Sequence, residues 1–179
     1  MFDLGSFFTS GFKYQYKTTA VFNDLPFEDV ELLDVQNRFG NVYVTITDEQ
    51  NAKIEADISL KPNAQVDEQK LKDMIKVYKG KTFSIKAQNL EAFDDSNSLG
   101  ISYRIYVPAK DIGVKVQNSM GNVEINDIKG KIQIDNEFGN VEITNPAEDA
   151  MVKVKHGNIV LNSDKPIKSN YDMNTTFGD

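Results

Sequence analysis

The chain has 179 residues, 40% of them hydrophobic, with eleven Phe, seven Tyr and no Cys or Trp. That is enough apolar material for a core in one domain, and it excludes disulfides and thiolate metal sites. With a net charge of −7 and only Arg38 and Arg104 as guanidinium groups, the chain would repel a nucleic acid and offer few forks for its phosphates.

In chain order, the opening "MFDLGSFFTSGFKYQYK" is aromatic-rich but does not read as a signal peptide. It lacks a basic start, and Asp3, Gly5, Ser6 and Thr9 interrupt any apolar run. No stretch reaches eighteen consecutive apolar residues, so no transmembrane helix is expected. From about 17 to 110 the dominant pattern is alternation, as in "NVYVTIT" (41–47), "AKIEADISL" (52–60), "KTFSIKAQ" (81–88) and "ISYRIYVP" (101–108). Period-2 alternation predicts half-buried strands, and Pro108 ends the last one because it has no N–H to give.

One segment breaks the pattern. In 63–78, Val66, Lys70, Leu71, Met74 and Tyr78 fall near one helical stripe. Asp67 and Glu68 come early and Lys72 and Lys76 late, the charge order a helix dipole favours, so a short helix is predicted near 65–75. The polar run 89–100 reads as a loop.

From about 112 to 179 the texture becomes periodic. Gly121, Gly130 and Gly139 recur every nine residues, and alternating pairs such as Val123/Ile125, Ile132/Ile134 and Val141/Ile143 lie between them. Five strand residues and a four-residue turn, taken twice, predict an eighteen-residue coil with two strands. Coils would stack at about 4.8 Å and the two sheets would face each other at about 10 Å. Ordinary hairpins would instead favour two-residue Asn-Gly or Asp-Gly links, whereas here the order is Gly-Asn. The expectation is all-β with one short helix: a β-roll or parallel β-helix with two facing sheets. The whole chain, 1–179, forms one domain on this reading, irregular over about 17–110 and regular beyond.

The residues that carry most information are "QNSMGNVEI" (117–125), "DNEFGNVEI" (135–143), "QNRFGNVYV" (36–44) and the clipped "KHGNIVL" (155–161). With "ISYRIYVPAKDIGVKV" before them, and "VELLDVQNRFGNVYVTI" (30–46) earlier, they resemble the bacterial putative-adhesin domain. That family, of unknown function, is related to the auto-transporter adhesin head with a Gly-Ile-Asn-type motif. The resemblance covers about 20–179 and rests on turn and core positions. It implies a right-handed, single-stranded β-roll or parallel β-helix in an exported envelope protein, with a signal sequence already removed. The leader or lipoprotein Cys usual before such domains is missing, and "NTTFGD" falls where another Gly-headed strand should begin.

Candidate sites are few. His156 is the only histidine, lacks a nearby carboxylate to orient it, and reads as an exposed residue in a turn shortened by two residues. Acidic pairs at Asp48–Glu49, Asp67–Glu68, Asp94–Asp95 and Glu148–Asp149 do not fit a calcium loop, and "DDSNS" (94–98) reads as a solvated loop. Outward Glu124 and Glu142, one coil apart, could imitate a glycosidase pair, but any repeat generates such columns.

Asn37, Asn118 and Asn136 precede Gly by three, and Asn41, Asn122, Asn140 and Asn158 follow it. They are expected to hold turns and bond to their copies above and below. Phe39, Met120, Phe138 and Phe177 are expected to plug the corner of the core. No catalytic residue, cofactor or metal is expected. The functional expectation is a non-catalytic envelope domain that contacts a protein or glycan. The alternatives are a self-assembling subunit completed through open sheet edges, with Phe2, Phe7, Phe8 and Phe12 capping the other end, and a carbohydrate-active enzyme.

Overall fold

The computed structural model describes residues 16–60, 67–88, 99–164 and 169–178. Fourteen strands and one helix are found among these residues. In chain order they are β1 (Tyr16–Leu25), β2 (Leu32–Phe39), β3 (Val42–Thr47), β4 (Ala52–Leu60), α1 (Glu68–Asp73), β5 (Ile75–Tyr78), β6 (Thr82–Ala87) and β7 (Leu99–Pro108). There follow β8 (Gly113–Met120), β9 (Val123–Asn126), β10 (Ile132–Phe138), β11 (Val141–Thr144), β12 (Ala150–His156), β13 (Ile159–Asn162) and β14 (Tyr171–Phe177). The fold is all-β, with two sheets of mixed strand direction.

Sheet A has the order β1-β4-β7-β3-β9-β11-β13, and sheet B the order β14-β12-β10-β8-β2-β6-β5. From β8 onward successive strands alternate between the sheets, and from β10 onward each lies parallel to the strand two before it. Val114, Ile132 and Ala150 stand in register in one sheet, as do Val123, Val141 and Ile159 in the other. The eighteen-residue period is therefore a physical step along the stack. Its two halves are unequal, however: sheet B strands span seven or eight residues and sheet A strands four. The reason lies in the corners. Gly121-Asn122 turns tightly, whereas the return through Asp127–Lys131 is wide and begins on a left-handed Asp127 (φ 59°).

Before β8 the chain does not climb coil by coil. The segment "QNRFGNVYV" enters the stack between strands far from it in sequence: β2 lies between β6 and β8, and β3 between β7 and β9. Asn37 pairs with Asn118, Phe39 with Met120 and Val42 with Val123. The outermost strands of this end pair antiparallel, β1 with β4, β4 with β7, and β5 with β6.

Apolar parity fills the space between the sheets in one connected cluster that includes Leu33, Val44, Ile54, Phe83, Ile105, Val116, Ile125, Ile134 and Ile143. Each such side chain removed from water contributes on the order of 1.5–3 kcal/mol as an upper bound. The helix is shorter than its sequence stripe. Asp67 caps it by accepting from Gln69 N, Leu71 is buried, and the following "IKVY" pairs with β6 as the edge strand β5. β-Branched Ile75 and Val77 alternate there, and Tyr78, at 46% exposure, is no part of a buried helical face. The aromatic segment at 2–12 and the "DDSNS" loop lie outside the described residues.

Candidate functional site

The tight corner joining sheet B to sheet A is the most specific feature of the chain. Gly40, Gly121, Gly139, Gly157 and Gly178 all have φ between 124° and 154°. A Cβ on Gly139 would meet the Gly121 carbonyl oxygen at 2.2 Å, and one on Gly121 would meet that of Gly40 at 2.1 Å. Only glycine permits coils to approach this closely.

Two Asn ladders then satisfy the turned backbone. On the inside, Asn37 donates to the carbonyls of Gly40 (3.1 Å) and Ile101 (3.0 Å). Asn118 donates to Gly121 O and to Asn136 Oδ1, and Asn136 donates to Gly121 O (3.2 Å) and Gly139 O (2.9 Å). Thr175 takes over at Gly157 O, where Val154 stands in the Asn column. On the outside, the amides of Asn122, Asn140 and Asn158 each donate to the side-chain oxygen of the Asn one coil before. Asn41 N uses Ser102 Oγ in the same way.

Two expectations are corrected here. Asn, not Phe or Met, fills the buried corner: Asn118 and Asn136 are 4% and 0% exposed, whereas Met120 is 38% and Phe177 63%. The chain bends at the glycine, so the preceding side chain leaves the gap between the sheets while the inward carbonyls require a donor. His156 likewise sits in an unshortened turn, in register with Phe138 and Phe177, and its ring lies stacked between theirs at 4.7 Å on either side. It is a half-buried member of an outer stack.

The outer face of sheet A adjoins this corner. Strand register sets Glu55, Arg104, Tyr43, Glu124 and Glu142 in one row across β4, β7, β3, β9 and β11. All five are half-buried, and Tyr106 lies one step along β7 with the Lys53 ammonium over its ring. Arg104 Nε is 3.0 Å from Glu55 and its Nη1 2.8 Å from Asp57, while Lys53 Nζ is 2.7 Å from Glu55.

Hydrogen bonds from Lys53 and then Arg104 hold the Glu55 carboxyl below its ordinary pKa of 4.5. A lowered carboxyl pKa contributes stability above the ordinary value, and that contribution is lost as pH falls through the lowered one. Because Arg104 and Lys53 are each more than 40% exposed, solvent screening keeps the network's contribution small. Glu55→Gln is expected to lower the urea midpoint at pH 7 and to match wild type in acid well below pH 4.5. An equal gap at both pH values would contradict this assignment.

Glu124 and Glu142 are register partners, each braced by an amide, from Asn126 (2.9 Å) and Asn162 (2.8 Å). Hydrolytic carboxylates flank a scissile bond from two sides. These two stand side by side on one sheet face.

The remaining sequence candidates are dispersed. Asp48–Glu49 is an exposed turn, Asp67 caps α1 while Glu68 pairs with Lys72, and Asp149 accepts from Asn170 N. Among the described residues no three His, Cys, Asp or Glu side chains are grouped so as to hold a metal. Sequence reading missed two buried polar groups, the Tyr103 hydroxyl and Asp34 Oδ1, which lack protein partners, and burial pushes the Tyr103 phenol pKa up. The inward parity of "ISYRIYVP" was the available signal for Tyr103.

No family model matches the chain, and no curated protein matches it. Among solved structures it is similar to a "putative cell adhesion protein" from Clostridium sporogenes, at 13% identity and TM-score 0.45, covering 89% of this chain and 100% of that one. A "putative adhesin" from Bacteroides fragilis is also 13% identical, with TM-score 0.41 and coverage of 92% and 96%. Another from Parabacteroides distasonis is 9% identical, with TM-score 0.30 and coverage of 94% and 97%. Likeness at this level transfers neither activity nor ligand. Among the described residues no helix is long and apolar enough to cross a membrane.

Proposed function

We propose that this chain is a non-catalytic interaction module of the bacterial cell envelope, periplasmic or surface-exposed, that binds a protein or glycan through the outer face of sheet A. On this reading residues 1–179 form one domain whose β8–β14 half is a right-handed β-roll. The one connected core and the parallel eighteen-residue register support that description. The observation that carries the functional reading is the register row Arg104–Tyr43–Glu124–Glu142 with Tyr106 beside it.

A tyrosine platform flanked by amides and carboxylates combines apolar contact area with fixed hydrogen-bond partners, as recognition surfaces require. The glycine corners lock that row in place, and rigid placement lowers the entropic cost of binding. The motif resemblance to the adhesin domain supports the same reading. The test is binding of the purified chain to glycan arrays and immobilised extracellular-matrix proteins, with attachment of a deletion strain in parallel. Tyr43→Ala is expected to weaken binding at least about tenfold without altering the circular dichroism spectrum. No ligand in either format, together with unchanged attachment, would overturn the adhesive reading.

A further inference from the structure

Half of the outer face of sheet B carries a charge opposite to that of the chain. Its strands β5, β6, β2 and β8, adjacent in that order, contribute Lys76, Lys86, Arg38 and Lys115 against one carboxylate, Asp34. The strands of sheet A contribute three cations against five carboxylates, and the whole chain has a net charge of −7. Register sets two rows side by side across the four sheet B strands, Lys76–Lys86–Gln36–Gln117 and Tyr78–Ser84–Asp34–Lys115.

Lys76 and Lys86 stand directly opposite each other on antiparallel strands, and like charges so placed cost stability. Among the described residues neither forms an ion pair, and nor does Lys115. The Lys86 ammonium lies over the Tyr78 ring, whose hydroxyl accepts from Gln88 Nε2 at 2.7 Å. An anionic group bridging the two ammonium groups would remove their repulsion, so ligand binding and fold stability are coupled at this place. The groups between the cations indicate the ligand. Ser84, Gln36 and Gln117 offer hydroxyl and amide partners for sugar hydroxyls, while the lysines meet carboxylates. A membrane surface would call for apolar side chains to enter it, and Tyr78 is the one large apolar group in the two rows. Phosphate polymers are best gripped by Arg forks, and neither row contains Arg.

We propose that this half of the sheet B face binds an acidic polysaccharide, a polymer of uronate sugars, with Lys76, Lys86 and Lys115 on its carboxylates and Gln36 and Gln117 on its hydroxyls. The net charge of the chain does not forbid this. At 0.1 M salt exposed charges are screened beyond about 10 Å, so the local sign decides. The proposal goes beyond the sheet A reading and stands on different residues, so either can fail alone.

The test is calorimetric titration of the 179-residue chain with polygalacturonate, and with dextran as the neutral polymer. Polygalacturonate is expected to bind in dilute buffer and to bind at least about tenfold more weakly at about 0.2 M salt, whereas dextran is not expected to bind. Lys86→Gln is expected to weaken binding at least about fivefold with an unchanged circular dichroism spectrum. Lys76→Glu separates binding from folding, because it turns a like-charge pair into an opposite one. The urea midpoint of the free chain is expected to rise while polymer affinity falls at least about tenfold. Tyr43→Ala, on sheet A, is expected to leave polygalacturonate binding unchanged. No binding in dilute buffer, equal binding of dextran, or affinity indifferent to both Lys changes would each overturn the proposal. Equal binding of phosphatidylglycerol vesicles or of oligothymidylate would also overturn it, since the face would then select charge and not sugar.

Discussion

Gly139→Ala is expected to destabilise the fold by about 4 kcal/mol or more, enough to leave little folded chain if total stability is ordinary. Two costs add. The residue sits at φ 124°, where an L side chain is strained by about 1–3 kcal/mol. The new Cβ would also stand 2.2 Å from Gly121 O and 2.6 Å from Gly121 C, atoms of a backbone fixed on both sides by strand pairing. Relief would require prying two coils apart and weakening both ladders that flank the corner. Urea denaturation followed by far-ultraviolet circular dichroism checks the effect. Gly80→Ala is the internal control, because its Cβ would meet nothing closer than 3.8 Å, and its change is expected to stay within about 0.5 kcal/mol. A Gly139→Ala protein less than about 1 kcal/mol weaker than wild type would show that the corner yields and that the close approach is not obligatory.

The second large effect is expected at Asn136, which is fully buried and bonds two carbonyls and the neighbouring Asn118. Asn136→Ala leaves Gly139 O without its side-chain donor and opens a small void, at a cost of about 3 kcal/mol. Gly121 O retains Asn118, so the loss falls mainly on one coil. Thr175→Val, removing a longer bond of 3.4 Å at a half-exposed place, is expected to cost less than about 1 kcal/mol. The contrast separates the demand for a buried amide from a general preference for polar corner residues. Because Asn118 and Asn136 bond each other, the double Ala variant should cost less than the sum of the single changes. Strict additivity in that cycle would mean that the ladder is two independent caps.

Both predictions depend on a corner that was partly readable before any coordinates. Asn118 follows Val116, and Asn136 follows Ile134, at the inward spacing of two, so alternation alone places these amides between the sheets. The aromatic residues share that parity, but the turn ends the alternation at the glycine, and parity stops being informative where the chain bends. His156 shows the same limit. Only register with Phe138 and Phe177 reveals that it occupies the aromatic slot. The sheet A face was legible as an outward parity in each strand. The row it makes was not, because Arg104, Tyr43 and Glu124 become neighbours only through pairing between distant segments.

Period and parity are local properties, imposed by the backbone geometry of one strand and one turn, and they sufficed for most strand positions, buried faces and the eighteen-residue step of β8–β13. Which strands become neighbours is a non-local choice. The copy "QNRFGNVYV" shares Gln-Asn and Gly-Asn-Val with "QNSMGNVEI" at the corner, and the outer Asn bond between them spans 81 positions of sequence. Similarity showed that the two segments could stack. Insertion of β2 and β3 between β6–β7 and β8–β9 was decided by which edges and which half-covered core the rest of the chain left open, and that balance of closure entropy against burial exists only in three dimensions.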